Sequence, residues 1–426
     1  MHTSTKEQAS TSTTASIERS GSTATTATTT TTAIKISVPA ATTTTAIEPS
    51  VSTTPIEASV SSTHMATSTN DDLLYHVESE DDIWKLCLEK IGIVQCGYTV
   101  TMRSCLIPEL YPLLVVKPAI IDPCQNLNEK LVPVFESQTL DDFKLCLKRF
   151  KKENVESKEA VFIDKVFKLL LKGSMDQNIV RLMKKGESNL SHYLIWPLMQ
   201  VISASVSFEV GEYKLEAIRN EIIRRNDDLL KNLNYNADGC HTSFINKNNV
   251  EVSLLEISGS FSETSQGRFT KDHIKAGFGA LALLQEIGNL FHYGSLDTFS
   301  AILVFFVHVL GEKIRLWSLE LVSPGVSVMN LIHTAVIPTE FDDEANLREL
   351  VKLMWTFKFG LELTIDKVKQ LSREHKAIQI AIAMGTSDIN EVYKSSIPSS
   401  FEKGCILKIK GDYTVGHEEL QVNSIV

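Results

Sequence analysis

The chain has 426 residues, with 42 basic and 52 acidic side chains, seven cysteines and 20 glycines. These totals exclude a collagen, a disulfide-stabilised scaffold and a protein that is basic over its whole surface. The length is typical of two or three domains, but the composition changes along the chain, so any functional signal has to come from local motifs.

Residues 1–70 form a hydroxyl-rich tail that contains 22 Thr and 13 Ser and no aromatic residue. Such a segment cannot bury enough apolar area to offset its chain entropy, so we predict that it is disordered. It also lacks the basic and apolar regions of a secretory signal peptide. The longest apolar run, residues 301–310, has about half of the ~20 residues that a membrane-spanning helix needs. Because the cysteines are scattered and form no CxxC pair, we expect a soluble intracellular protein, cytoplasmic or nuclear, that makes no membrane contact.

Residues 71–180 are predicted to form a mainly helical region with proline-rich loops. Five prolines lie among short apolar runs between residues 91 and 136 and predict loops and short strands there. Apolar residues at helical spacing then predict two helices, over 140–150 and 158–171. These helices and their flanks carry a run of basic residues: Lys144, Lys148, Arg149, Lys151, Lys152, Lys165, Lys168 and Lys172. Because three glutamates interrupt the run, we favour a solvated helix face over a dedicated phosphate-binding face.

Residues 181–426 alternate between predicted helices and pairs of predicted strands. The expected elements are helices over 190–201 and 213–233, strands over 241–245 and 250–257, a helix over 271–291, strands over 299–309, 314–321 and 326–337, and helices over 343–357 and 364–383. The alternation is typical of an α/β (α+β) domain in which helices flank a mixed central sheet. We therefore expect a disordered tail over 1–70, a helical region over 71–180, and an α/β domain with C-terminal helices over 181–426.

Three acidic residues lie at the ends of these predicted elements. Glu187 opens the first helix, Asp238 lies in the turn before the first strand, and Glu256 lies inside an apolar strand. A carboxylate in such a strand is costly to bury unless a cation or hydrogen-bond donors compensate its charge. Carboxylates at neighbouring strand ends can share Mg²⁺, which polarises a phosphoryl oxygen and lowers the pKa of a bound water. The three residues are thus candidates for a phosphodiester-hydrolysing site, with Asp238 and Glu256 as the metal ligands.

Each of these carboxylates also has a purely structural interpretation. Glu256 would accept backbone hydrogen bonds from the loop after its strand, and Asp238 is what a tight Asn-Ala-Asp-Gly turn requires. Glu187 interacts favourably with a helix dipole at this position. His241 and His273 flank the same region without the paired spacing of metal ligands, and His241 is in addition a candidate general base.

Several segments around these residues follow a known pattern. They are NADG at 236–239, VEVSLLEISG at 250–259, KDHIKAGFGALALLQEI at 271–287, FFVHVLGEKIRLWSLEL at 305–321 and GVSVMNLIHTAVIP at 325–338. In this order they resemble the PD-(D/E)XK nuclease-like superfamily, and they are similar to expanded fungal proteins of unknown function that carry degenerate versions of this domain. The resemblance covers roughly residues 186–340 and implies a restriction-endonuclease-like core. It also implies that Asp238 is the motif Asp, Glu256 the acidic residue of the following tripeptide, and Glu187 the helix Glu.

The sequence departs from the superfamily pattern at one position. Ser258 replaces the lysine that usually orients the attacking water and balances charge in the transition state. Loss of one such electrostatic stabiliser typically lowers the rate by about 10²–10³. Some members of the superfamily supply the lysine from the next helix, and the resemblance then implies Lys271 or Lys275, which lie one turn apart at the start of that helix.

These observations leave three functional hypotheses. We favour a non-catalytic or weakly active PD-(D/E)XK-like domain that acts as a nucleic-acid or protein interaction module, because the motif lysine is missing. One alternative is a Mg²⁺-dependent nuclease in which Asp238 and Glu256 bind the metal, and Mg²⁺ is the cofactor expected in that case alone. The other is a structural or regulatory interaction protein unrelated to nucleic acid. The acidic balance disfavours avid non-specific DNA binding, which needs several lysine or arginine contacts to phosphates.

Overall fold

The computed structural model describes residues 88–97, 100, 111–114, 120–203, 206–225, 235–323 and 325–386. The hydroxyl-rich tail and the last 40 residues lie outside these ranges, as do most residues of the region between 71 and 119. The predictions made for those segments therefore stay predictions.

The described residues form eleven α-helices and seven β-strands. The helices are α1 (Tyr111–Leu114), α2 (Asn128–Phe135), α3 (Leu140–Glu153), α4 (Lys158–Lys172), α5 (Gln177–Met183), α6 (Glu187–Leu190), α7 (Trp196–Ile202), α8 (Glu216–Arg225), α9 (Gln266–Leu290), α10 (Leu296–Ser300) and α11 (Glu344–Ala383). The strands are β1 (Ile93–Gly97), β2 (Ser207–Lys214), β3 (Asn236–Ile245), β4 (Asn248–Ile257), β5 (Val304–Leu310), β6 (Lys313–Ser323) and β7 (Val326–Val336). Among the described helices, none is both long and apolar enough to cross a membrane.

The seven strands form one mixed sheet in the order β1-β7-β6-β5-β4-β3-β2. Neighbouring strands are antiparallel except β1 with β7 and β4 with β5, which are parallel. The connection between β4 and β5 contains α9, as expected for parallel neighbours, which need a crossover connection. The prediction of a mixed sheet flanked by helices is therefore confirmed.

Helices cover both faces of this sheet. Consecutive residues of β5 point to opposite faces, so Phe305 and Phe306 identify the two layers. The Phe305 ring packs on Phe357 of α11, with ring centroids 5.4 Å apart. The Phe306 ring packs on His273 of α9, at 5.8 Å. The sheet thus lies between α9 on one face and α11 on the other, which buries apolar residues of every strand from β3 to β7.

The helices that precede the sheet in sequence share its hydrophobic core. Phe143 of α3 packs against Phe167 of α4, with centroids 5.9 Å apart, and against Phe341 ahead of α11, at 6.0 Å. Phe162 of α4 packs on the Trp355 ring of α11, at 4.9 Å. These contacts fix α3 and α4 against the α11 face of the molecule.

The β3–β4 hairpin is specified by its turn. Ile245 pairs with Asn248, so only Asn246 and Lys247 connect the two strands. Both have positive φ, 49° and 69°, which is the requirement of the two-residue turn that matches strand twist. Asparagine tolerates this conformation better than most residues, so the predicted turn over the NKNN segment holds β3 and β4 in register.

Several element boundaries differ from the predicted ones. The segment predicted as one helix over 213–233 begins inside β2, and α8 starts only at Glu216. Strand β2 lies at the sheet edge with charged residues on its exposed side, so its alternation is weak in the sequence. The two predicted C-terminal helices are one continuous helix, α11, in which Gly360 lies where a Cβ would come within 2.4 Å of the Phe305 ring. Gly360 thus allows α11 to pack closely on the Phe305 ring, and it does not end the helix.

A carboxylate on β4 holds the start of α8. Glu251 accepts hydrogen bonds from Glu216 N at 2.7 Å and from Ala217 N at 2.9 Å, two N–H groups that the first turn of a helix leaves without partners. The residue is 5% exposed. Burial raises the pKa of the Glu251 carboxyl to about 7, and the two backbone N–H groups oppose that rise.

This carboxyl makes the stability of the fold dependent on pH. The folded protein retains the Glu251 proton up to about pH 7, whereas the unfolded chain releases it near the ordinary value of 4.5. The free energy of unfolding should therefore fall between those pH values, relative to that of Glu251→Gln, by up to roughly 3 kcal/mol, since one pKa unit is worth about 1.4 kcal/mol. Urea denaturation of both proteins at pH 5, 6, 7 and 8 measures this difference. Glu209→Gln, at an exposed position on β2, is the matched control, and a difference between wild type and Glu251→Gln that is constant with pH contradicts the assignment.

Candidate active site

Two of the predicted residues lie side by side on the β3–β4 hairpin. Gly239 pairs with Leu255 in antiparallel register, so Asp238 and Glu256 are the next residues along the two strands. Asp238 Oδ2 accepts a hydrogen bond from Ile257 N at 2.6 Å, which draws this carboxylate to the C-terminal end of β4. The hairpin therefore brings together the two residues that the sequence assigns to metal binding.

Glu256 is buried and paired with a lysine from α9. Its side chain is 3% exposed, and its Oε2 lies 2.8 Å from Lys275 Nζ. The same ammonium donates to Asn236 O at 2.6 Å and lies 5.0 Å from the centre of the Tyr235 ring. The other carboxylate oxygen, Glu256 Oε1, is buried without a hydrogen-bond partner. One oxygen of Glu256 is thus engaged by a cation and the other is left unsatisfied.

A glycine allows α9 to come close enough to the hairpin for this contact. A Cβ at Gly279 would lie 2.4 Å from Tyr235 Oη and 2.8 Å from Leu254 Cδ2, both too close for a methyl group. Tyr235 Oη in turn donates to Lys275 O at 2.8 Å, one turn before the glycine. Close packing at Gly279 therefore positions the first half of α9 so that Lys275 reaches Glu256.

Glu187 joins the cluster through an arginine. It is the first residue of α6, and its carboxylate is paired with Arg268 near the start of α9. Arg268 Nε also lies 3.8 Å from Asp272 Oδ2, one turn along the same helix. Burial raises the pKa of the Glu187 carboxyl, the charge of Asp238 raises it further, and the Arg268 guanidinium opposes both effects. All three carboxylates predicted from the sequence therefore share one electrostatic environment.

Ser258, at the position of the missing lysine, is fully buried in a hydrogen-bond chain. Its hydroxyl donates to Asp272 Oδ2 at 2.7 Å and lies 2.8 Å from His308 Nε2. Burial, together with the neighbouring His273 and Arg315, holds the pKa of His308 well below its usual value, so the ring is neutral and donates its Nε2–H to the serine. The serine lies between the histidine and the carboxylate, whereas a nucleophile would need the histidine between serine and acid. Ser258 thus connects β4, β5 and α9 and does not act as a nucleophile.

Burial raises the pKa of every carboxyl group in the cluster. For Glu256 the opposing effect is the ammonium of Lys275, and the charge of Asp238 adds to the rise. For Asp238 the Ile257 N–H opposes burial first, and Lys275 second. For Asp272 the Ser258 hydroxyl is the first opposing group. Two cations, Lys275 and Arg268, are paired with these four carboxyl groups, and the charge of Lys271 also lowers the pKa of Asp272, so carboxyl groups outnumber cations by four to three.

The remaining sequence candidates lie away from these contacts. Lys271 is exposed on α9, one turn before Lys275, so the structure brings only the second of the two candidate lysines to Glu256. His241 is 1% exposed, with Nδ1 2.7 Å from Ser253 Oγ, and its ring packs on Phe357 of α11, on the face opposite α9. Burial lowers the pKa of His241 to about 4, so it is a neutral core residue and not a general base.

Arg268 and Asp272 are site residues that the sequence interpretation missed. With Lys275 they follow the helical spacing i, i+4, i+7, which places all three on one face of α9. That spacing is the signal in the sequence for this group, because it places two basic side chains and one carboxylate on the same helix face. Without the position of β4, however, the same spacing equally describes a solvated face.

The cluster offers a divalent cation two carboxylates, Asp238 and Glu256, as ligands. Among the residues that the structure describes, no group of three or more His, Cys, Asp or Glu side chains is arranged as a ready-made metal site. Mg²⁺ does not need one, because it is commonly held by one or two carboxylates together with waters and substrate phosphates. The unsatisfied Glu256 Oε1 beside Asp238 is an oxygen of the kind that such an ion coordinates. The donor set therefore suits a hard divalent cation shared with a bound substrate.

Comparison with known proteins assigns no family or function to the chain. No family model matches the chain, and neither the curated proteins nor the solved structures include a match. The function of the cluster is therefore inferred from its own residues.

The ion pair should behave as a coupled unit in stability measurements. Lys275→Met leaves the Glu256 carboxylate buried without its cation, and we expect a loss of roughly 3–5 kcal/mol in the free energy of unfolding. Adding Glu256→Gln to that variant should recover much of the loss, because the buried charge is removed. Urea denaturation of the wild type, the two single variants and the double variant at pH 8 measures this coupling.

Lys271→Met is the matched control for that cycle, since it removes an exposed lysine one turn away on the same helix. We expect it to change the free energy of unfolding by no more than about 0.5 kcal/mol. The pair is not coupled if the changes at Lys275 and Glu256 have strictly additive effects on the free energy of unfolding. The same conclusion follows if Lys271→Met and Lys275→Met lower that free energy equally.

Proposed function

We propose that the described α/β domain is a PD-(D/E)XK-like domain with a divalent-cation-dependent site that hydrolyses nucleic-acid phosphodiesters. The observation that carries this proposal is the 2.8 Å contact between Lys275 Nζ and Glu256 Oε2. It supplies, from α9, the ammonium that Ser258 cannot provide from β4. The absence of the motif lysine was the reason to favour a non-catalytic module, and this contact removes that reason.

The order of elements around the site supports the restriction-endonuclease-like core that the resemblance implies. Helices α6 and α7 precede three antiparallel strands, β2 to β4, and α9 then crosses over to β5, which runs parallel to β4. Asp238 lies near the start of the second of these strands and Glu256 near the end of the third. Glu187 lies on the preceding helical segment, in the order that the superfamily pattern requires.

Each residue of the cluster has a definable role in this proposal. Asp238 and Glu256 would hold the cation, which when bound polarises the phosphoryl group and lowers the pKa of water. Lys275, fixed by Glu256 and by Asn236 O, places an ammonium where it can orient a water and stabilise developing negative charge. Arg268 holds Glu187 beside the site. The scattered cysteines support a cytoplasmic or nuclear location for this activity.

One observation favours a second candidate, the non-catalytic interaction module. Both cations of the cluster are already paired within the chain, Arg268 with Glu187 and Lys275 with Glu256. A polar network of this kind also stabilises a fold without any ligand. In that case the domain would bind nucleic acid or another protein through its surface and show no turnover.

Cleavage assays distinguish the two candidates. Fluorescently labelled single- and double-stranded DNA and RNA are incubated with the full chain and Mg²⁺ or Mn²⁺, with EDTA as the blank. We expect metal-dependent cleavage by the wild type, and we expect Lys275→Gln to lower the rate by about 10²–10³, the effect typical of losing one electrostatic stabiliser.

Two control variants make this result specific. Lys271→Gln should retain the wild-type rate within about twofold, because Lys271 is exposed and outside the cluster. Glu256→Gln/Lys275→Met leaves no unpaired buried charge, so it should fold and yet be inactive. Cleavage by the double variant at the wild-type rate contradicts the assignment, and no cleavage by the wild type on any substrate favours the interaction module.

A further inference from the structure

Two rows of lysines lie on α3 and α4, away from the cluster just described. Three lysines on α3 and three on α4 recur at intervals of three or four residues, so each set forms a row on one face of its helix. We call these six exposed residues the basic surface: Lys144, Lys148, Lys151, Lys165, Lys168 and Lys172. Successive side chains in a row are about 5–6 Å apart at Cβ, and the opposite faces of both helices are buried in the core.

A buried aspartate joins the two rows. Asp164 of α4 has a side chain that is 1% exposed, and its carboxylate lies 3.3 Å from Lys151 Nζ and 2.7 Å from Lys168 Nζ. One carboxylate thus holds an ammonium from each helix, so the two rows converge there. Because two cations share one anion, the junction keeps a net positive charge.

The rest of the surface leaves most of its charge uncompensated. Lys144 is paired with Asp141 at 3.2 Å, whereas Lys148, Lys165 and Lys172 have no acidic partner among the described residues. Between residues 144 and 172 there are nine basic and four acidic residues, in a chain whose net charge is −10. A positive face maintained on an acidic protein indicates a polyanionic partner.

The chain leads directly from this surface to the candidate active site. After α4 it continues through α5 to two exposed lysines, Lys184 and Lys185, which lie just before Glu187. Met183 O accepts a hydrogen bond from Phe261 N at 3.2 Å, so this corner lies against the loop that follows Ser258. Two basic side chains therefore lie next to the carboxylate cluster, on the segment that connects α5 to α6.

We propose that the basic surface docks the phosphate backbone of nucleic acid and holds the strand that the Glu256 cluster acts on. This inference rests on the proposed function for its choice of polyanion. Lysine is suited to such docking because its flexible ammonium contacts phosphates without base selectivity, so the interaction is independent of sequence and weakened by salt.

Binding in EDTA tests the docking surface separately from cleavage. A labelled 20-base-pair DNA duplex and a single-stranded RNA of the same length are titrated with the full chain by fluorescence anisotropy at several salt concentrations. Lys148→Gln/Lys165→Gln/Lys172→Gln removes three lysines that have no ion pair with any residue that the structure describes. We expect it to bind at least about tenfold more weakly than the wild type at low salt, with a slope of log K against log salt that is shallower by roughly 2–3.

The matched control removes three exposed lysines elsewhere, in Lys313→Gln/Lys369→Gln/Lys376→Gln, with the same change in net charge. It should bind within about twofold of the wild type, and thermal melting should show that both triple variants fold. Equal binding by the two triple variants overturns the docking surface. So does wild-type binding to vesicles of anionic lipid without binding to either nucleic acid.

The same variants separate this inference from the proposed function. With Mg²⁺, the docking variant should raise KM and leave kcat within about twofold, whereas Lys275→Gln should lower kcat and leave binding in EDTA unchanged. If no protein cleaves but the docking variant alone loses binding, the docking surface stands and the proposed hydrolysis fails. If the wild type cleaves and the docking variant binds and cleaves normally, hydrolysis stands and the docking surface fails.

Discussion

The ion pair between Glu256 and Lys275 is the interaction on which the arrangement of the cluster depends. A carboxylate that is 3% exposed carries a desolvation penalty of several kcal/mol, and one ammonium at 2.8 Å offsets only part of it, since the pKa of the Glu256 carboxyl stays well above its usual value. The two residues lie on β4 and α9, so the same contact fixes how that helix crosses the end of the strand. Arg268 and Asp272 lie on the same face of α9, and their positions relative to β3 and β4 follow from it.

In the proposed function, the pair supplies from α9 the lysine that the superfamily pattern places at position 258. Electrostatic stabilisation depends on where the ammonium lies in space and on the dielectric around it, and not on which element carries it. Once Lys275 supplies the charge, position 258 needs only a small residue that satisfies its neighbours. Ser258 does this by connecting the partly exposed Asp272 to the buried His308 through hydrogen bonds. The Ser258 hydroxyl therefore has a structural role.

Features that depend on local chemistry were predictable from the sequence. The hairpin follows from the turn at Asn246 and Lys247, and the mixed sheet follows from the alternation of helical and strand patterns. The importance of Glu256 follows from the cost of a carboxylate in an apolar strand. Each of these inferences uses residues that are close in the chain, and the structure agrees with the hairpin and with the sheet.

Features that depend on distant parts of the chain were not predictable in this way. Strand β1 is stabilised by pairing with β7, more than 200 residues later, and five residues alone carry little signal for such a strand. The choice between Lys271 and Lys275 depends on which face of α9 meets β4, and the close approach at Gly279 decides it. The role of Arg268 depends on its ion pair with Glu187, which lies 81 residues earlier in the chain. Contacts between distant parts of the chain therefore decide which of several similar residues lie in the cluster, and the local sequence does not distinguish them.

Net charge is a sum over the whole chain and does not describe how charge is distributed on the surface. The chain carries a net charge of −10, which argued against nucleic acid, yet fields at physiological salt are screened over about 8–10 Å. A polyanion approaching α3 and α4 therefore responds to the lysines nearest to it and little to acidic residues on distant surfaces. The carboxylates near Glu256 would repel the phosphates of a nucleic acid. In the proposed activity, a bound divalent cation and the basic surface would both reduce this repulsion. The acidity of the cluster and the basicity of α3 and α4 are thus complementary requirements of one proposed activity.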